Sequence, residues 1–327
     1  MEVFRRLPPR DRRTPCALTI GNFDGVHRGH QAVITQLQTR ARALGLPTCV
    51  LTFEPHPREY FARLAGNPAL APARIQEARD KLAALSDLGV DRVCIAHFDA
   101  QLAGLEAHLF FERIIEQGLH ARSVLVGDDF RFGHRRQGDF AALEALCAGR
   151  GIACSRIEAF ELGGQRVSSS AVRAALSEGR FDDATRLLGR PYQLSGHVLH
   201  GRKLGRTLGF PTLNLRVSFE RPAVTGVFVV RVFGLAEHPL AGVASLGTRP
   251  AVESNGRLLL ETHVFDFDQT VYGRVVSVEF LHRLREERHY DSLQLLTDQI
   301  ERDAQDARTW FANHPLSDTP LARDRDA

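Results

Sequence analysis

Between Cys16 and about residue 160, short apolar runs alternate with stretches of helical periodicity, and after Leu188 the alternation stops. The runs "CALTIGN", "PTCVLTF", "DRVCIA", "RSVLVG" and "IACSRIE" read as buried strands. Between them lie "QAVITQLQTRARALG", a segment from about Ile75 to Leu88, "HLFFERIIEQGL" and a segment from about Gly138 to Cys147, all with apolar residues at helical spacing. Parallel neighbours need a crossover, so this order predicts a doubly wound parallel sheet with helices on both faces. Beyond Leu188, "YQLSGHVLHG", "GVFVVRVFG", "LAGVASLG", "LLLETHVFDF" and "GRVVSVEFL" are separated by turn residues with no helix between them, which predicts a small antiparallel β-barrel. "DSLQLLTDQIERDAQDARTWF" opens on an Asp-Ser cap and carries an amphipathic stripe, so one helix closes the barrel domain. At 327 residues the chain exceeds one ordinary core. The hinge falls in "SEGRFDDATRLLGRPYQ", where Gly189 and Pro191 are stop signals, giving domains of residues 1–186 and 187–327. The tail "SDTPLARDRDA" is polar enough to stay unstructured.

Composition narrows the partners. A net charge of +3, with no basic run interleaved with aromatics, leaves no footprint for nucleic acid. No run approaches the roughly 20 apolar residues of a membrane span. The basic start "RRLPPRDRR" reads as a solvated, flexible arm and lacks the apolar stretch of a secretory signal. Cys16, Cys49, Cys94, Cys147 and Cys154 are odd in number, widely spread and mostly in apolar contexts, so they read as buried thiols of a cytoplasmic protein. Nothing in the sequence sets an oligomeric state.

"GNFDGVHRGHQ" (residues 21 to 31) joins the first strand to the first helix, where free N–H groups and a positive dipole end suit an anion. His27 and His30, three residues apart on the first helical turn, lie on one side and can donate to phosphate oxygens. Gly21, Gly25 and Gly29 allow a tight turn and close approach of a phosphate, and Asp24 lies in the same element. Alone, H-x-G-H is also compatible with an ordinary surface turn. Three further clusters follow strands at the same expected sheet edge. "FEPHPREYF" (53 to 61) offers Pro55 and Pro57, which fix the backbone, and Phe61, which can flank a planar ring. "VGDDFRFGHRRQGD" (126 to 139) packs carboxylates, aromatics and glycines into one loop. "VSSSAVR" (167 to 173) opens a helix, so its hydroxyls and N–H groups face an anion, with Arg173 one turn along.

The second half carries its own constellation. In "GRKLGRTLGFPTLNL" (201 to 215), Gly201, Gly205 and Gly209 suit a loop whose N–H groups curl round phosphates, although the G-K-[ST] ending of a Walker A loop is missing. Thr212 and Asn214 alternate along an extended run and place a hydroxyl and an amide on one side, near a metal ion. By itself the stretch also reads as a glycine-rich hairpin on a solvated face. Glu261 interrupts an apolar strand, as a partnered structural charge or as a base held near substrate.

"GNFDGVHRGH", "FEPHP", "VGDDFRFG" and "SSSAVR" resemble the nucleotidyltransferase module of the prokaryotic bifunctional riboflavin kinase/FMN adenylyltransferase (FAD synthetase) family. "GRTLGFPTLNL", "GVFVV", "SLGTRPAV", "ETHVFDF", "YGRVVSVEFLHRLREE" and "SLQLLTDQI" resemble its riboflavin kinase module, in one order, so that the resemblance runs from about Cys16 to Phe311. It implies riboflavin, FMN, FAD and ATP as partners, with Mg²⁺: riboflavin becomes FMN at the barrel, and FMN becomes FAD at the sheet with release of pyrophosphate. It further implies that His27 and His30 bind ATP phosphates and stabilise the transition state, while Ser168, Ser169 and Arg173 hold the triphosphate. Pro55, Pro57, Phe61, Asp129 and Phe132 fall at its flavin positions. In the kinase, the resemblance makes Glu261 the base that accepts the 5′-hydroxyl proton of riboflavin, Thr212 a Mg²⁺ ligand, and Asn214 a group that places metal and substrate. The Gly201 to Gly209 loop would cover ATP, and Arg285 would lie at the flavin. Three positions depart from the family pattern: Ser170 and Ala251, where threonine is frequent, and Asp129, where asparagine is common. Other nucleotidyltransferases and class I aminoacyl-tRNA synthetases share H-x-G-H, but the barrel motifs have no place in them. The remaining alternatives are a chain with one active module, or a flavin-binding regulatory protein, which would require the loss of chemical positions that are all present.

Overall fold

The computed structural model describes residues 1–200, 208–247 and 258–314. It divides into two compact units. The first comprises Met1–Ala73, Ala78–Val172 and Leu187–Gly189; the second comprises Arg74–Glu77, Arg173–Arg186 and the chain from Arg190 on.

The first unit contains strands β1 (Glu2–Phe4), β2 (Cys16–Ile20), β3 (Thr48–Glu54), β4 (Arg92–His97), β5 (Ala121–Gly127) and β6 (Ala153–Ile157), all parallel, in the spatial order β1-β4-β3-β2-β5-β6. Helices α1 (Arg28–Leu44), α2 (Pro57–Leu64), α3 (Ala78–Asp87), α4 (Ala100–Ala103), α5 (Ala107–Phe110), a π-helical stretch Phe111–Glu116 and α6 (Phe140–Ala148) connect them. Continuous apolar strands make sense in a sheet covered on both sides. Cys16, Leu18 and Ile20 of β2 pack with Phe110, Ile115 and Leu143. Ala17 turns the other way, onto Leu37 and Ala41 of α1. The chain winds outward from β2 through β3 to β4, then returns across β2 to β5. The loops after β2, β3 and β5 therefore open at a topological switch point, where α/β sheets bind ligands.

Several local expectations need correction. The N-terminal arm is not free: Glu2–Phe4 pairs in parallel with β4, Leu7 packs on the core, and Cys94 Sγ donates to Arg6 O at 3.4 Å. Three residues are too few to show a strand period. The helix expected from Ile75 starts at Ala78, because Arg74 is held extended by bonds from its N–H to Arg221 O (2.7 Å) and from Ala223 N–H to its carbonyl (2.9 Å). The hairpin β7 (Glu161–Leu162) and β8 (Gln165–Arg166) stands before "VSSSAVR". Gly163 and Gly164 supply the two positive φ angles, 59° and 76°, that its two-residue turn demands.

The second unit is a closed antiparallel barrel of β9 (Gln193–Leu199), β10 (Leu213–Arg216), β11 (Gly226–Phe233), β12 (Leu240–Gly247), β13 (Leu259–Val264) and β14 (Val275–Arg285). The strands run in the order β10-β13-β12-β11-β14-β9, with β9 pairing back onto β10. Register partners Leu215, Leu260 and Leu246 lie on the enclosed face. On the opposite face Val227, Val229 and Val243 pack against Ala304 and Ala307 of the closing helix, Leu293–Asn313. Small residues at those two positions let the helix lie close to the strands. The tail from residue 315, read as unstructured from its composition, lies outside the described residues.

Candidate functional site

After β2 the backbone passes through Phe23 (φ 49°), Gly25 (φ 89°) and Val26 (φ 42°). Two non-glycine residues in the left-handed region cost free energy, and here both are anchored by burial, at 2% and 0% exposure. The turn delivers His27 to the N-cap of α1, where its Nδ1 accepts from the His30 backbone N–H at 3.3 Å. An accepting Nδ1 places the proton of neutral His27 on Nε2. The His30 ring stacks on His27 with centroids 3.6 Å apart and planes inclined by 16°. At Gly29 a Cβ would sit 3.1 Å from His27 Nδ1 and 3.2 Å from Val167 O, so glycine permits the two segments to approach. Helix α7 (Ser169–Ser177) docks on the same turn: Ser169 Oγ donates to Asp24 O at 2.9 Å, and Ser168 Oγ accepts from Ala171 N–H at 3.2 Å as a cap. Gly21, Asp24, Gly25, His27, Gly29, His30, Ser168 and Ser169 are thus brought together. Arg173 follows one turn along α7. Neither α1 nor α7 has an acidic residue in its first turn, so no carboxylate of either first turn opposes an anion there.

A buried relay beneath this turn escaped the sequence reading. Lys81, 2% exposed, donates to Thr52 Oγ1 (3.4 Å) and to Glu54 (3.0 Å), and Thr52 Oγ1 donates to Asn22 O at 3.1 Å. Its only signal is a lysine standing on the buried stripe of α3 with Ala84 and Leu85.

The expected flavin positions divide. After β3, His56 caps α2 through Nδ1 (3.1 Å from Arg58 N) and donates its own N–H to Glu59 (3.0 Å), while Pro57 starts the helix directly after Pro55. Phe61 is 51% exposed and meets Tyr60 and Phe98 edge-on at 5.3 and 5.9 Å. Sequence reading missed Tyr60 and Phe98, though Phe98 directly follows β4 and so shares the same edge. Across the switch point, Asp129 is exposed, 3.4 Å from Arg166, which also pairs with Asp128 at 3.0 Å. Phe132 is 5% exposed, stacked on Phe130 at 5.5 Å, with its backbone paired to Gly138. Its ring belongs to the core and supports the loop.

In the second unit the pairing registers align Asn214, Glu261, Ser245, Val227 and Arg285 in one row across β10, β13, β12, β11 and β14. Register partners share a face, so Asn214 and Glu261, 47 residues apart in sequence, stand side by side. Asn214 is 8% exposed, and its Nδ2 donates to Thr212 O at 3.3 Å, which leaves the carbonyl Oδ1 to serve as a hard oxygen ligand. His263, two residues beyond Glu261 on the same face, holds the Phe-Pro-Thr corner: its Nδ1 lies 2.9 Å from Pro211 O, and its ring meets Phe210 edge-on at 5.4 Å. Gly209 adopts φ 87° with open space around it. Gly201, Gly205 and Ala251 lie outside the described residues. Arg285 is bidentate to Asp303 of the closing helix, at 2.8 and 2.6 Å. That partner was not foreseen, because it stands 18 residues away on an element whose docking face no local pattern specifies.

Among the described residues no three His, Cys, Asp or Glu side chains form a metal cluster, and no helix is long and apolar enough to cross a membrane. Residues 10–171 match the FAD synthetase family model, and residues 188–311 match that of riboflavin kinase. The chain is 45% identical over 313 residues to the bifunctional riboflavin kinase/FMN adenylyltransferase of Haemophilus influenzae, covering 95% of this chain and 99% of that one. It is 44% identical to the protein so named from Pseudomonas fluorescens, covering 95% and 98%, and to that of Escherichia coli K12, covering 90% and 93%. A crystal structure described as a macrolide-efflux protein from Streptococcus pneumoniae superposes with a TM-score of 0.70 at 28% identity, covering 94% of this chain and 98% of the other.

Proposed function

The chain belongs to the bifunctional riboflavin kinase/FMN adenylyltransferase family, and from that premise we propose which residues carry each half of its chemistry. The protein phosphorylates riboflavin to FMN with its riboflavin kinase part and adenylylates FMN to FAD with its FAD synthetase part, using ATP in both. We assign the adenylyltransferase to residues 1–186 and the kinase to 187–327.

In the kinase, Glu261 accepts the 5′-hydroxyl proton of riboflavin as the oxygen attacks the γ-phosphorus of ATP, the bond to the β,γ-bridging oxygen breaks and ADP departs. Thr212 and Asn214 would hold Mg²⁺, which would supply charge neutralisation at the transferring phosphate. This donor set fits the ion: a hydroxyl and an amide oxygen beside a carboxylate are hard ligands, and Mg²⁺ takes few of these when phosphates supply the rest. Gly201, Gly205 and Gly209 cover the nucleotide, and Arg285, fixed by Asp303, serves the flavin side.

In the adenylyltransferase, a phosphate oxygen of FMN attacks the α-phosphorus of ATP and pyrophosphate departs. No covalent enzyme intermediate is needed, so the protein contributes placement and charge. His27 and His30 donate to phosphate oxygens, with the Nε2 proton of His27 set by its Nδ1 bond. Gly21, Asp24, Gly25 and Gly29 shape the turn, and Ser168, Ser169 and Arg173 hold the triphosphate. Pro55, Pro57, Phe61 and Asp129 border the flavin, and Phe132 stiffens that border from within. Five unpaired cysteines support a reducing cytoplasm as the setting.

The observation that carries the kinase assignment is the Asn214–Glu261 register, which joins two motifs that are separate in sequence. The test is a time course with riboflavin, ATP and Mg²⁺ in which the flavins are separated chromatographically. FMN should rise and then give way to FAD. FMN that accumulates and is not converted when supplied directly would leave a kinase with a silent sheet unit, and no product at all would leave a flavin-binding protein.

A further inference from the structure

Glu287 reaches back from the segment after β14 onto β12. Its Oε1 accepts the Ser245 hydroxyl at 2.7 Å. Its carboxylate also covers Gly247 so closely that a Cβ there would collide with Oε2, and the three nearest atoms all belong to Glu287. Ser245 and Gly247, two residues apart, share a strand face, and Ser245 is the register partner of Glu261. At the other end of the same short segment, Arg285 is bidentate to Asp303, and its Nη1 donates to Glu286 O at 2.9 Å. Residues 285–287 are therefore pinned twice: to the closing helix through Arg285, and to the strand beside Glu261 through Glu287. A hydroxyl has one proton, and Ser245 donates it to Glu287, which points the Ser245 side chain to the latching segment and not to its neighbour on β13.

We propose that Ser245, Gly247 and Glu287 form a latch that holds residues 285–287 against the Asn214–Glu261 row, making Ser245 and Glu287 positioning residues for riboflavin in the kinase reaction. The proposal rests on the assignment of Glu261 as the base of that site. Gly247→Ala is its most selective probe, because the three atoms nearest the added methyl all belong to the end of the Glu287 side chain and the backbone there needs no left-handed conformation. Ser245→Ala, Glu287→Ala and Gly247→Ala should each raise the riboflavin KM of the kinase about three- to tenfold, the net worth of one ordinary hydrogen bond, with kcat within about twofold. Glu287→Gln, which keeps an oxygen acceptor and the same shape, should retain most of the binding. The double variant Ser245→Ala/Glu287→Ala should be no worse than either single change. The experiment uses the full chain, with Glu261→Gln assayed alongside. If Glu261→Gln loses kinase activity while riboflavin KM is unchanged in all three latch variants, the latch is wrong and the base assignment stands. Additive losses that fall on kcat and on melting temperature together also overturn the latch. Full kinase activity in Glu261→Gln removes the base assignment and the latch with it.

Discussion

At the scale of single residues, the two sites make separable demands. Glu261→Gln keeps the shape of the side chain and removes its basicity, so FMN formation should fall about 10²- to 10⁴-fold while conversion of added FMN to FAD is unchanged. Replacing His27 and His30 by alanine should do the reverse, lowering adenylylation about 10²- to 10³-fold through loss of donors to phosphate. A folded variant losing both activities would refute the two-site assignment. Gly29→Ala tests whether close packing matters: its methyl would press on His27 Nδ1 and Val167 O at 3.1 and 3.2 Å, so adenylylation should fall about tenfold with the kinase intact. Residue types legible in sequence are those whose chemistry is unusual for their place, such as a carboxylate within an apolar strand. Lys81 and Ser245 were not legible, since a helical lysine and a strand serine are ordinary until their partners Thr52, Glu54 and Glu287 are known.

At the scale of elements, the closing helix shows how local signals and long-range anchoring differ. The closing helix, Leu293–Asn313, has Ser292 as its N-cap, whose hydroxyl accepts from Leu295 N–H at 3.2 Å. Ser292→Ala should cost about 1 kcal/mol, readable as a small drop in the denaturation midpoint of the barrel unit. Asp303→Ala should cost more, about 3–5 kcal/mol, because Asp303 is 4% exposed and its loss leaves the Arg285 guanidinium partly buried without its carboxylate. The cap was readable because a serine before an amphipathic stripe is a local device. The anchor was not, because nothing in the spacing of the closing helix says which strand its polar residue will meet. The same distinction explains β1 and the β7–β8 hairpin: two or three residues carry no period, and only pairing makes them strands.

At the scale of the whole molecule, the thiols report the integrity of the fold. Cys16, Cys49, Cys94 and Cys147 are buried and Cys154 is half-buried. Burial pushes the Cys94 thiol up to about 12. Cys147 is held protonated by donating to Cys154, and that same hydrogen bond lowers the Cys154 pKa. Native protein treated with iodoacetamide at mildly alkaline pH should therefore gain one label, at Cys154, and five after denaturation, as counted by mass spectrometry. Uniform labelling of the native chain would contradict the burial. The sequence by itself determined the doubly wound sheet, the barrel, the closing helix and the strand-to-helix turn after β2, because hydrophobic period, glycine position and cap chemistry act within a few residues. Only the tertiary structure decided that Ser169 meets Asp24, that Asn214 stands beside Glu261, that Phe132 turns inward while Phe61 stays outside, and that Arg285 is held by Asp303. Those outcomes depend on strand register and on which faces close on each other, and both are set by the packing of segments far apart in the chain.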